Sequence, residues 1–105
     1  MKKYIKASDY ISFDELKDIV QRLYRAFDEN NLSAEIWFEE GSVMDKINYE
    51  IRGDWKHDHL FSNHIATEVL NDCGVEILNS TEQETESDGS DWYTAIHTFY
   101  IMAQR

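Results

Sequence analysis

Three of the four histidines fall within eight residues, in the segment KHDHLFSNH, as His57, His59 and His64, with Asp58 between the first two. Imidazole, thiolate and carboxylate groups hold zinc, and a helix offers them from one face at a spacing of four. The spacings here are two, five and seven. At 1.5 Å per residue, His57 and His64 stand about 10 Å apart along a helix axis, too far for one ion. They read instead as residues of a helix start, where Asp58 is favoured by the positive end of the helix dipole. No metal and no cofactor are expected. The single cysteine, Cys73, excludes an intrachain disulfide and suits a reducing compartment. It stands before Gly74 at the predicted end of that helix, where the negative pole raises a thiol pKa, so it reads as a small buried hydrophobe. The four glycines are scattered turn residues with no phosphate-cradling loop among them, and no serine sits in a nucleophile elbow. The chain is expected not to be an enzyme.

Charge is the stronger lead. The 105 residues carry 21 acids against 10 bases, a net charge of −11. Up to Lys56 there are nine bases and twelve acids, whereas from His57 to Gln104 there are nine acids and neither lysine nor arginine. A block of one sign projects a field that salt screens over about 8 Å. Such a field opposes direct binding to nucleic acid, which depends on cations displacing phosphate counterions. It equally opposes docking on an anionic membrane. No apolar run approaches the roughly 18–20 residues of a membrane span, and the basic start MKKYIKASDY has no apolar stretch behind it. A cytosolic protein is expected. An apolar content of 42% is high enough for one folded core across residues 1–105.

The elements that position these groups follow from periodicity. Ser12 with Glu15 reads as a capping box, and Phe13, Leu16, Ile19, Val20, Leu23 and Phe27 recur as one helical stripe, ending at Asn30-Asn31. Ser33–Glu39 and Asp45–Arg52 alternate with period two and form a hairpin, with Ile36, Ile47, Tyr49 and Ile51 inward. A second helix is predicted from about His57 to Cys73, capped by Gly74, and a short strand at Val75–Asn79. The stretch STEQETESDGSD reads as a loop or a frayed hairpin end, and Trp92–Met102 as a last strand. The fold class is α+β, with two helices on one face of an antiparallel sheet of four to five strands. Two orders remain open: a ferredoxin-like arrangement with a leading strand at Lys3–Ala7, or αββαββ, two helix-plus-hairpin units in one sheet.

Candidate binding residues lie in two runs. Glu82, Glu84, Glu86 and Asp88 alternate, and in extended backbone such residues project from one face about 6.7 Å apart. Asp91 continues the charge. On the first hairpin, Trp37 lies on the polar side of its strand between Glu35 and Glu39, where an acid-ringed Trp suits a protein interface.

A short, proline-free, very acidic domain opening MKKYIKAS resembles small proteins of phages and mobile elements, among them anti-CRISPR and antirestriction inhibitors, some of which mimic DNA. The resemblance rests on size, charge and these first eight residues. It implies a non-enzymatic inhibitor in the host bacterial cytosol. Its partner would be a basic nucleic-acid-binding protein, such as a CRISPR effector or a restriction enzyme. The alternative is an assembly module whose exposed sheet face pairs with another chain or with a second copy as a homodimer. A small metal-binding enzyme built on the histidine cluster ranks third.

Overall fold

Ser12 starts the first helix as expected: its hydroxyl accepts a hydrogen bond from the Glu15 amide at 3.2 Å. The computed structural model describes residues 12–87, 89 and 91–103, so the leading strand expected at Lys3–Ala7 lies outside the described residues. Helix α1 spans Phe13–Glu29 and buries Leu16, Ile19, Leu23 and Phe27. Phe13 belongs to the same stripe by spacing but is 78% exposed, because it sits at the first turn, ahead of the buried residues. Asn31 takes the left-handed conformation (φ 59°) that lets the chain turn back into a strand.

Strands β1 (Ala34–Glu39) and β2 (Asp45–Asp54) form the expected hairpin, with Ile36 opposite Tyr49 and Phe38 opposite Ile47. The second helix differs from its expected form. A π-helical turn at Trp55–Leu60 precedes α2, which spans Phe61–Asp72. Gly74, at φ +77°, reverses the chain into β3. That strand runs from Val75 to Ser87 and pairs throughout with β4 (Trp92–Ala103). The acidic stretch, read as a loop or a frayed hairpin end, is therefore the end of a hairpin, in strand up to Ser87. Residues 79–87 lack apolar anchors, yet their backbone pairs with β4 from Tyr100 back to Tyr93.

The sheet order is β1-β2-β4-β3, antiparallel throughout. Among the described residues the order is αββαββ: two helix-plus-hairpin units join through β2 and β4, with Ile47 opposite Phe99 and Tyr49 opposite His97. The inward parity of the sheet meets α1 and α2 in one core, which includes Leu23, Phe27, Tyr49, Leu70, Phe99 and Ile101. Phe27 packs edge-to-face on Tyr49, with ring centroids 5.1 Å apart at 87°. Burying a side chain such as Leu23 contributes about 1.5–3 kcal/mol.

Candidate functional site

The π-helical turn decides which histidine faces inward. Asp54 caps it by accepting from the His57 amide, and Asp58 turns back to accept from the Asp54 amide at 2.9 Å. Gly53 allows this return, since a Cβ there would lie 2.3 Å from atoms of the Asp58 side chain. The one turn thus separates the three clustered histidines. His57 is exposed, and His64 sits on the surface of α2 with its Nε2 3.2 Å from Glu68. His59 points into the protein and is 1% exposed.

His59 meets His97, which stands on the inward parity of β4 between Ala95 and Phe99, and the two ring nitrogens Nδ1 and Nε2 lie 2.9 Å apart. Glu82 of β3 is opposite His97 in register, and its Oε1 is 3.7 Å from each of those nitrogens. The other nitrogen of His59, Nε2, lies 3.1 Å from the Gly53 carbonyl and 3.0 Å from that of Tyr93. Carbonyls only accept, so Nε2 carries a hydrogen, and Nδ1 is the nitrogen that faces His97 and Glu82. Tyr93 stacks on His59 at 4.1 Å and donates its hydroxyl to Glu82 Oε1 at 2.8 Å. Tyr49 stacks on His97 at 4.7 Å. Ser62 donates to the His59 carbonyl at 2.9 Å and accepts from the Tyr49 hydroxyl at 2.9 Å. Burial lowers the His97 pKa to about 4, against the opposing pull of Glu82, so the ring is neutral at pH 7. Burial likewise raises the Tyr49 phenol above its ordinary range. The cluster opens on a pocket of about 210 Å³ lined also by Trp55, Leu60 and Asn63.

The acidic row does not form one face. Irregularities in the β3–β4 register fall between Ile77 and Asn79 and between Glu84 and Glu86. Glu82 pairs with His97 and Glu84 with Ala95, both on the inward parity, whereas Glu86 pairs with Thr94 on the other. Glu86 there finds a cation from the first half of the chain, with Arg52 Nη1 3.8 Å from its carboxylate. Asp88 lies outside the described residues, and Asp91 is exposed beside the π-helical turn in a hollow shared with Trp55 and Lys56.

Glu35, Trp37 and Glu39 lie on β1, at the opposite edge of the sheet from β3. Three strand spacings separate the two edges, about 14 Å. The two sets of candidate residues are therefore not brought together. Trp37 is half-buried, and the more exposed tryptophans are Trp55 and Trp92, at 47% each. Lys46 pairs with Glu39 at 3.3 Å across the hairpin. Cys73 is partly buried, and burial raises its thiol pKa, in keeping with an inert residue. Sequence reasoning missed the grouping of His59 with His97 and Glu82. A histidine on the apolar parity of Tyr93, Ala95, Phe99 and Ile101 was the available signal.

No protein-family model and no curated protein matches the sequence. Among solved structures the fold is similar to that of the type 4 fimbrial biogenesis protein PilO from Pseudomonas aeruginosa. That match has a TM-score of 0.50 and 12% identity, and covers 91% of this chain and 73% of that one. At this identity the likeness is one of fold alone. Among the described residues no helix is long and apolar enough to cross a membrane.

Proposed function

We propose that the chain is a non-enzymatic, acidic binding protein that occupies a cationic, nucleic-acid-binding surface of another protein, in the manner of the anti-CRISPR and antirestriction inhibitors it resembles. One observation carries this reading: residues 79–87 of the edge strand β3 are all exposed and bear Glu82, Glu84 and Glu86 with no lysine or arginine among them. An exposed sheet edge invites pairing with another strand unless charge prevents it. Acid along this edge repels a second copy of itself, so the edge selects for a partner of opposite sign. Long-range attraction of this kind acts mainly on the rate of encounter.

The test is retention of bacterial cytosolic proteins on the immobilised full chain at low and high salt, with duplex DNA as competitor. Nucleic-acid-binding proteins should be retained at low salt and released by DNA, and the triple variant Glu84→Gln/Glu86→Gln/Asp91→Asn should retain far less. Retention that ignores DNA, or that the variant preserves, contradicts the reading.

A further inference from the structure

Glu82 is set apart from the other acids of β3. Its carboxylate accepts the Tyr93 hydroxyl at 2.8 Å and faces two buried imidazoles. We infer that His59 Nδ1, His97 Nε2 and Glu82 Oε1 form a binding site for one divalent transition-metal ion of the zinc type, independent of any role of the acidic edge in partner binding. The three atoms stand 2.9, 3.7 and 3.7 Å from one another. The circumcentre of that triangle lies about 2.0 Å from each corner, which matches Zn–N and Zn–O bonds of about 2.0–2.2 Å. An ion therefore fits with small shifts of three side chains.

The groups behind the three atoms are arranged as metal sites require. A ligating histidine donates its other ring N–H to a carbonyl or carboxylate, which fixes the tautomer and aims the free lone pair. His59 does this twice, to Gly53 and Tyr93. A ligating carboxylate is itself held by a donor, and Tyr93 supplies one to Glu82. Stacking on Tyr93 and Tyr49 holds both imidazole planes. The pocket bordered by Trp55 and Asn63 leaves a direction open for water as a fourth ligand, towards which the ion would move out of the plane of the three donors. Two imidazoles with one carboxylate favour zinc, cobalt or nickel over magnesium or calcium, which prefer all-oxygen shells. Ion entry replaces the His97–His59 hydrogen bond: the hydrogen along it leaves for the other nitrogen of His97 or for solvent, so that both nitrogens offer lone pairs to the ion.

The experiment is calorimetric titration of the chelator-stripped full chain with zinc sulfate, together with the visible spectrum of the cobalt-loaded protein. One ion per chain is expected, with cobalt bands of nitrogen and oxygen ligation and no thiolate charge transfer from Cys73. Glu82→Gln should weaken binding at least about 10-fold, and His97→Gln should abolish it. Glu84→Gln, two residues along the same strand, should leave it unchanged. Should His97→Gln not fold, Glu82→Gln still decides, because that carboxylate is 36% exposed and its replacement leaves the core intact. Absence of binding, equal affinity in Glu82→Gln, a thiolate band, or loss of affinity in His57→Gln/His64→Gln instead would each overturn the assignment.

Discussion

The two edges of the sheet solve the same problem in different ways. At β1 the strand is six residues long, and Tyr24 from α1 closes its rim: the hydroxyl donates to the Ile36 carbonyl at 3.0 Å and accepts from the Ile36 amide at 2.8 Å. At β3 the strand is thirteen residues long, and its last nine residues are exposed and guarded by carboxylates. Covering an edge with a side chain removes it from recognition, whereas guarding it with charge leaves it available to a partner of the opposite sign. The same division runs through the helices. Helix α1 buries an apolar stripe, while the turn before α2 delivers a histidine into a polar corner beside β3. Function is accordingly sought at the β3 edge and its corner, whereas the core draws on both halves, from Leu23 and Phe27 to Leu70 and Phe99.

Three substitutions sharpen that contrast. The largest effect belongs to the apolar half: Leu23, 1% exposed, lies in the core, and Leu23→Ala should cost about 2–5 kcal/mol in urea unfolding. A smaller loss would mean that α1 is not the principal anchor. The polar corner should respond less and asymmetrically. Ser62→Ala removes the acceptor of the buried Tyr49 hydroxyl and should cost about 1–3 kcal/mol. Tyr49→Phe leaves Ser62 still donating to the His59 carbonyl and should cost only about 0.5–1.5 kcal/mol. Equal losses would show that the Ser62–Tyr49 bond does not run in the direction assigned.

Smallest of all should be neutralisation of the acidic edge. Glu84→Gln with Glu86→Gln should move stability by no more than about 0.5 kcal/mol, since among the described residues it breaks just the exposed 3.8 Å pair with Arg52. A clear drop in Tm would assign these carboxylates to the fold rather than to recognition.

Both helices, the first hairpin and the existence of the last strand were legible because each writes its pattern over many residues: Leu16, Ile19, Leu23 and Phe27 in α1, and Ile36, Ile47, Tyr49 and Ile51 in the hairpin. The full length of β3 was not legible, because residues 79–87 bury nothing and are held by backbone pairing to β4, which no side-chain pattern records. The split of the acidic row was hidden for the same reason, since a register irregularity near Thr85 leaves no mark in composition. The His59–His97–Glu82 corner depends on the π-helical turn. A helix of ordinary pitch through His57, His59 and His64 gives the spacings that argued against a metal site, and only the altered turn, locked by Asp54 and Asp58 against Gly53, swings His59 towards β4.

The division between the two edges is tested most directly by one retention measurement on two variants. Glu84→Gln/Glu86→Gln/Asp91→Asn alters the β3 side, and Glu35→Gln/Glu39→Gln alters β1; each is compared with the unaltered chain for capture of DNA-displaceable cytosolic proteins at low salt. The first variant should lose most of the capture and the second should keep it. Capture that survives in the first, or is lost in the second, would contradict the assignment of binding to the acidic edge of β3.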